Sequence, residues 1–93
     1  DYSVGLAKKQ VKKGFKKAKS IKAWLNRKTW RIHANALGVP EDRTRAGYVQ
    51  FQIPGEPWCQ LRSYTLTEQY AGGGKHQKAG GVRFGYTRWQ KCQ

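Results

Sequence analysis

The chain has 93 residues, enough for one small domain, and its 19 Lys and Arg against 5 Asp and Glu give a formal net charge of +14. So much charge of one sign opposes compaction and predicts a polyanionic partner, with nucleic acid favoured over an anionic membrane surface. No run of about eighteen apolar residues is present, so we expect no transmembrane segment.

The first predicted element is a basic amphipathic helix that begins near the N-terminus and ends near Ser20. Lysines cover one side of it, and no acid occurs between Tyr2 and Pro40. Apolar residues recur on the other side at the spacing of a helix, about 3.6 residues per turn. This apolar stripe comprises Val4, Ala7, Val11, Phe15, Ala18 and Leu25.

A second helix is predicted from Ser20 to about Leu37. Ser20 is a suitable N-cap, Gly38 is a suitable C-terminal cap, and Pro40 would prevent continuation. Its apolar side would comprise Ile21, Leu25, Ile32 and Ala36. Residues 1–40 are therefore predicted to be a basic helical segment, followed by a polar connection at 41–45.

Residues 41–93 are predicted to form a small antiparallel β segment. Residues 48–53 and 58–67 alternate between apolar and polar side chains, and the turn at 54–57 would join them as a hairpin. A glycine-rich loop at 70–81 precedes a third strand at 82–89. The predicted fold class is α+β: an N-terminal basic helix or two helices, followed by a three-stranded antiparallel sheet, in one domain overall.

Two features predict a nucleic-acid interface, and we favour RNA over DNA. Amines along a helix match a phosphate backbone, giving affinity and salt dependence without sequence readout. Glycine lets backbone N–H groups approach a phosphate closely, although the spacing around Lys75 is not that of a nucleotide-binding P-loop. A solvated charged face and a plain surface loop are the alternatives. The predicted nucleic-acid-binding residues are Lys8, Lys9, Lys12, Lys13, Lys16, Lys17, Lys19, Arg27, Lys28, Arg31, Lys75, His76, Lys78, Arg83 and Arg88.

Aromatic side chains of the strands are a third candidate feature, because they can stack on unpaired bases with help from neighbouring arginines. Tyr64 and Tyr86 are the preferred candidates, since arginines flank both of them. Trp24 and Phe84 are expected in the core instead. The neighbouring arginines are Arg62, Arg83 and Arg88.

The sequence indicates neither a metal site nor a cofactor site. Its cysteines and histidines lack the spacing that is typical of metal ligands. A nuclease is the enzyme alternative, with His76 as general base and Glu56 or Glu68 as its partner. Arg83 or Arg88 would then hold the phosphate. A single histidine on a glycine-rich loop is more often solvated or a phosphate contact, so we expect no enzyme activity.

The main functional prediction is a structural RNA-binding component of a large ribonucleoprotein, with a ribosomal protein as the best example. It would neutralise phosphates through the lysine-rich helix and the glycine-rich loop, and it would contact neighbouring proteins of the assembly. A nucleic-acid packaging protein would have the same character. The alternative from another class is an exported cationic effector, such as a small ribonuclease toxin.

Compartment and redox state link these alternatives. The chain begins with Asp1 and contains no Met, which we interpret as a processed product, with a mitochondrial or plastid protein favoured over a secreted one or a polyprotein piece. Cys59 and Cys92 are compatible with one disulfide or with two free thiols. The ribonucleoprotein hypothesis predicts reduced thiols and a helix that orders only on RNA. The exported hypothesis predicts a Cys59–Cys92 disulfide and a chain that folds without RNA.

Overall fold

The computed structural model of the chain describes residues 2–27 and 29–92. One N-terminal helix packs on a curled antiparallel sheet of six strands, so the fold is α+β as predicted but with twice the expected number of strands. The elements are α1 Tyr2–Gly14, β1 Lys19–Leu25, β2 Arg31–Ala34, β3 Pro40–Gln52, β4 Cys59–Gly72, β5 Lys75–His76 and β6 Arg83–Gln90.

The two long strands β3 and β4 form the centre of the sheet and pair continuously from Asp42 opposite Gln69 to Phe51 opposite Gln60. The shorter strands lie along their outer edges. β1 and β2 both pair with β3, whereas β5 and β6 both pair with β4. The molecule is consequently long and narrow, with extents of 51 × 19 × 18 Å.

The N-terminal helix is amphipathic as predicted, and it buries Ala7 and Val11 completely. It ends at Gly14, earlier than the predicted end near Ser20. A turn follows, in which the Lys12 ammonium donates to the carbonyl oxygens of Lys16 (3.3 Å) and Ala18 (3.1 Å). Both carbonyls lie beyond the end of α1, so Lys12 links the last turn of the helix to the turn that leads into β1.

The core lies between α1 and one side of the sheet, which we call the helix face. Alternate residues of the central strands point to this face, as the period of two requires. Partly buried side chains, Phe15 and Phe84 among them, pack around it, which agrees with the core position expected for Phe84. The buried cluster comprises Ala7, Val11, Ala18, Val49, Phe51, Tyr64 and Leu66.

The predicted second helix is wrong, because the segment after Ser20 forms strands β1 and β2. Ser20 has a positive φ of 54° and lies in the irregular pairing between Lys19 and Lys22, so it is not a helix cap. In β1, Ile21 and Leu25 are half-buried against the core, an alternation with period two that competes with the helical spacing.

Gly38 is a hairpin residue, where a C-terminal helix cap was predicted. It has a φ of 79° in the turn between β2 and β3. The Asn35 side-chain oxygen accepts hydrogen bonds from the backbone N–H groups of Leu37 (2.9 Å) and Val39 (3.0 Å). This arrangement is an Asx turn, in which an Asn side chain hydrogen-bonds to the backbone two residues further on.

The glycine-rich segment is more ordered than the predicted loop at 70–81. β4 continues to Gly72, the two-residue turn Gly73 and Gly74 follows, and β5 then pairs back onto β4. All three of these glycines have positive φ. The remaining loop is therefore confined to residues 77–82. The predicted third strand at 82–89 is confirmed as β6, and the two predicted hairpin strands are confirmed as parts of β3 and β4.

Cys59 and Cys92 form a disulfide that joins the start of β4 to the C-terminal end of the described chain. Their Cα atoms are 5.0 Å apart, which is within the range that a disulfide requires. Within the described part of the chain, no helix has the length and apolar character needed to span a bilayer.

Candidate functional site

The side of the sheet opposite α1, which we call the open face, carries a row of aromatic side chains. Trp24 of β1 pairs with Tyr48 of β3, and Tyr48 pairs with Ser63 of β4. Tyr86 of β6 lies on the far side of Ser63 and donates its backbone N–H to the Ser63 Oγ (3.2 Å). Strands β1, β3, β4 and β6 therefore each contribute one residue to a line that crosses the sheet.

Tyr48 contacts a second aromatic ring on each side of it in this line. We call Trp24, Tyr48 and Tyr86 the aromatic row. The ring centroids are 6.1 Å apart for Trp24 and Tyr48 and 6.2 Å apart for Tyr48 and Tyr86. Trp24 remains 39% exposed and Tyr86 55% exposed, so solvent or a ligand can reach both. Large exposed aromatic rings held side by side are typical of a binding surface.

A hydroxyl contact fixes the orientation of the two tyrosines. The Tyr86 hydroxyl donates a hydrogen bond to the Tyr48 hydroxyl at 3.0 Å. This hydrogen bond raises the pKa of Tyr86 above its ordinary value of 10.0, because ionisation would remove the donated proton. The Tyr86 hydroxyl is therefore neutral at physiological pH, and the hydrogen bond holds the two rings in place against each other.

Small residues between the tyrosines make this contact feasible. Ser63 lies in the register irregularity of the β4–β6 pair, directly under Tyr86. A Cβ atom on Gly85 would overlap the Ser63 Oγ, so a glycine is needed for β6 to approach this closely. The bulge thus brings Tyr86 over Ser63 and within reach of Tyr48.

Basic side chains share the open face with the aromatic row. The register places Arg88 opposite Leu61, Arg83 opposite Thr65 and Lys22 opposite Gln50, all on this side of the sheet. Arg88 borders a shallow cavity of about 340 Å³ that Trp24 and Tyr86 also line. Positive charge is therefore present on both sides of the aromatic row.

A second cavity, of about 310 Å³, lies at the end of the open face where β1 leaves the sheet. We call it the arginine pocket. The β1–β2 connection and the start of β2 contribute four polar residues, which are Asn26, Arg27, Thr29 and Arg31. Thr44, Arg45, Ala46 and Thr65 line the pocket from the sheet. The Arg45 guanidinium itself donates to the Ser3 Oγ on the helix face, at 2.7 Å.

The lysine-rich helix and the glycine-rich loop meet at a smaller cavity of about 170 Å³, which we call the lysine groove. Lys9 and Lys13 line it from α1, and Gly80 and Gly81 line it from the loop. A Cβ atom on Gly81 would lie 3.2 Å from the Gln10 Oε1, a tight contact that glycine avoids. The two basic features identified in the sequence are thus adjacent, away from the open face.

The other predicted binding residues are dispersed. Lys28 lies outside the described residues. Lys12 donates hydrogen bonds to the turn after α1, and the Lys78 ammonium lies 5.5 Å from the centroid of the Tyr2 ring. The His76 ring contacts the Tyr70 ring, with centroids 5.3 Å apart. The remaining lysines, which are all exposed, are Lys8, Lys16, Lys17, Lys19 and Lys75.

Two aromatic residues exchange the places that the sequence predicted for them. Tyr64 is 1% exposed in the core, where burial raises its pKa above 10.0 and the nearby Arg45 partly lowers it. Trp24, expected in the core, belongs to the aromatic row. Arg62 was expected beside the stacking residues, yet its guanidinium lies on the helix face, 5.0 Å from the centroid of Phe15.

The residues of the nuclease alternative are divided between the two faces. Glu68 is buried on the helix face and forms an ion pair with Arg43, with a hydrogen bond of 2.7 Å to the Arg43 Nε. Arg83 and Arg88 occupy the open face, so the sheet separates them from Glu68. His76 lies on β5, beside Tyr70.

Comparison with known proteins assigns no relative. No protein-family model matches the chain, and no curated protein or solved structure is similar enough to be counted as a match. Any functional assignment therefore depends on the chemistry of the surfaces described above.

Proposed function

We propose that this protein binds single-stranded RNA, and that the bases stack on the aromatic row of the open face. The observation that supports the proposal most strongly is the contact of Trp24, Tyr48 and Tyr86 across four strands of the sheet. Sheets that bind single-stranded RNA use aromatic rings in this way, since every base has a face that can stack.

Single strands fit this surface better than duplexes do. Bases within a duplex are already stacked on each other and present only their edges in the grooves. An exposed aromatic ring stacks on the flat side of a base, which only an unpaired nucleotide exposes. The nearby Arg88 supplies positive charge for the phosphates, and guanidinium groups also stack on bases.

The net charge of +14 supports a nucleic acid as the partner. It supplies affinity that is independent of sequence and falls as salt increases. In this proposal the protein binds RNA and does not cleave it, consistent with the separation of Glu68 from Arg83 and Arg88 by the sheet.

Two features of the fold favour an exported RNA-binding protein over a ribosomal one. The ribonucleoprotein hypothesis predicted reduced thiols, whereas Cys59 and Cys92 are joined. It also predicted a helix that orders only on RNA, whereas Ala7 and Val11 are fully buried against the sheet. Disulfides persist in oxidising compartments, so the export of the effector alternative accounts better for this chain, whereas its ribonuclease activity is not part of the proposal. A ribosomal role remains a prediction.

The test measures the affinity for a fluorescent single-stranded RNA and for the same sequence annealed to its complement. Trp24→Ala and Tyr86→Ala should each weaken binding of the single strand by roughly 5- to 100-fold, the range expected for loss of one base-stacking ring. Trp58→Ala is the matched control, because Trp58 is also exposed but lies in the connection before β4.

The proposal is contradicted if Trp24→Ala and Trp58→Ala have the same affinity as the unmodified protein. It is also contradicted if the duplex binds as tightly as the single strand, because the positive charge would then be sufficient. A parallel titration with single-stranded DNA of the same sequence reports whether the 2′-hydroxyl groups contribute.

A further inference from the structure

We propose that the arginine pocket binds the terminal phosphate monoester of the RNA strand whose bases stack on the aromatic row. This inference depends on the proposed function, and it adds a ligand chemistry that the aromatic row alone does not specify. It predicts that the protein distinguishes a phosphorylated RNA end from an unphosphorylated one.

The lining of the pocket is suited to a phosphate. Arg27 and Arg31 bring two guanidinium groups, each of which offers several N–H donors in a fixed plane. Neither group forms a hydrogen bond or ion pair with residues 2–27 or 29–92. Two threonine hydroxyls and one amide add neutral donors around them, whereas the Thr44 hydroxyl is already hydrogen-bonded to the His33 Nε2 at 3.0 Å. The donors are those of Thr29, Thr65 and Asn26.

The charge of the pocket fits a monoester better than an internal diester. A phosphate monoester carries about −1.5 to −2 charges near neutral pH, whereas each internal phosphate of a strand carries about −1. Arg27 and Arg31 together match the larger value. The nearest acid along β3 is Asp42, which pairs with His33 and is not part of the pocket lining.

The pocket lies along β3 from the aromatic row, within reach of the same RNA strand. Thr44, Ala46 and Tyr48 are alternate residues of β3, so they all point to the open face. At about 3.4 Å per residue, Ala46 lies about 7 Å from Tyr48 and Thr44 about 14 Å. At the rise of about 3.4 Å per phosphate along a stacked strand, a phosphate in the pocket would be about two to four nucleotides from a base stacked on Tyr48.

The β1–β2 connection closes one side of the pocket, which suits the end of an RNA strand. Asn26, Arg27 and Thr29 belong to this connection and line one side, while Thr44 and Thr65 line the pocket from the sheet. At 310 Å³ the cavity is at the lower limit of small-molecule pockets, sufficient for a phosphate with its sugar. A chain end fits such a site, whereas a continuing strand would have to leave again past the connection.

The experiment compares three versions of one short RNA: 5′-phosphorylated, 3′-phosphorylated and without a terminal phosphate. We expect one phosphorylated version to bind at least about tenfold more tightly than the unphosphorylated one. Arg27→Gln and Arg31→Gln should remove this difference, because each should weaken the phosphorylated RNA by at least about tenfold more than the unphosphorylated one. Arg83→Gln is the matched control, since it should weaken all three RNAs by the same factor.

Each outcome separates this inference from the proposed function. If all three RNAs bind equally while Trp24→Ala still weakens binding, the inference is overturned and the proposed function stands. If no version binds, both fail. A competition assay uses labelled phosphorylated RNA. If inorganic phosphate displaces the label at the same concentration as unlabelled phosphorylated RNA does, the pocket is a site for free phosphate and the inference is overturned. Arg31→Lys provides a second variant, which keeps the charge but loses the planar donor geometry and should retain part of the preference.

Discussion

The Tyr64 hydroxyl donates a 3.0 Å hydrogen bond to the carbonyl oxygen of Trp24, across the intervening strand β3. Tyr64 is buried on the helix face, whereas the Trp24 ring lies on the open face. The bond therefore ties the backbone of the edge strand β1 to the core. It does so at Trp24, whose side chain would contact the ligand. A core residue thus holds a candidate binding residue in place.

Gly47 allows this bond, and its replacement by alanine should destabilise the protein. A Cβ atom there would overlap the Trp24 carbonyl oxygen and lie 2.7 Å from the Tyr64 hydroxyl. We expect Gly47→Ala to lower the free energy of unfolding by roughly 1–3 kcal/mol, as overpacking of a core does. Urea denaturation followed by tryptophan fluorescence measures this change.

Gly5→Ala is the control for Gly47→Ala. Gly5 lies in α1 with no other atom within 4 Å of the added Cβ, so alanine should stabilise the helix by up to about 1 kcal/mol. Equal effects of the two substitutions would mean that the close approach at Gly47 does not constrain the fold.

The buried hydroxyl of Tyr64 predicts a loss of stability at alkaline pH. Burial raises the pKa of Tyr64 above 10.0, although the positive charge of Arg45 partly opposes this. Its stabilising contribution is complete below the unfolded-state pKa and is lost as the pH rises through the higher folded-state pKa. We expect the urea midpoint of the unmodified protein to fall as the pH rises above about 10.

Tyr64→Phe isolates this effect, because it removes the ionisable group and keeps the ring. Near pH 8 the variant should be less stable by about 0.5–1.5 kcal/mol, the usual contribution of one hydrogen bond. The difference between the two proteins should shrink as the pH rises above 10. Lysines titrate in the same range, but they do so in both proteins. A constant difference across this range would show that Tyr64 ionisation does not affect folding.

The sequence predicts the elements that have one unambiguous period. Ala7 and Val11 follow the helical spacing, and β3, β4 and β6 alternate clearly enough to be recognised. The β1 segment fits two periods, since Ile21 and Leu25 are separated both by about one helical turn and by two strand repeats. Pairing with β3 decides between them, and this pairing is a tertiary interaction that single-sequence periodicity does not contain.

The candidate site is predictable in composition but not in arrangement. The sequence predicts Tyr86 beside Arg83 and Arg88, and β6 places all three on the open face. Their role in binding stays a prediction. The burial of Tyr64 and the exposure of Trp24 depend on which side of the sheet the helix covers. A shift of one residue would exchange the two faces. The alternation of side chains in KSIKAWL, residues 19–25, could have indicated the exposure of Trp24. With a period of two, Trp24 lies on the side of β1 opposite its apolar residues.

The disulfide should contribute to stability in addition to indicating an oxidising compartment. Cys59 and Cys92 are separated by 33 positions, and closing a loop of this length typically stabilises a small domain by about 2–4 kcal/mol. We expect the double variant Cys59→Ser/Cys92→Ser to be less stable by this amount. The mass of the protein from its source should increase on reduction by the mass of two hydrogen atoms. An unchanged mass would favour the ribosomal hypothesis instead.

The lysines of α1 give the last prediction, which concerns salt dependence. Replacing Lys9, Lys13 and Lys16 by Gln should weaken RNA binding and reduce the slope of log affinity against log salt by up to about 0.7 for each phosphate that the variant no longer neutralises. Trp24→Ala should weaken binding with an unchanged slope, because stacking releases no counterions. Fluorescence titrations at several salt concentrations measure both quantities.

Lys12→Gln is the matched control for this triple variant, because the Lys12 ammonium donates hydrogen bonds to backbone carbonyls in the turn after α1. It should lower stability more than it changes the slope. The lysine groove lies on the α1 side of the sheet, so RNA that reaches both surfaces must pass around an edge of a molecule that is 18–19 Å thick. An unchanged slope in the triple variant would mean that the strand stays on the open face and that these lysines are only a solvated surface.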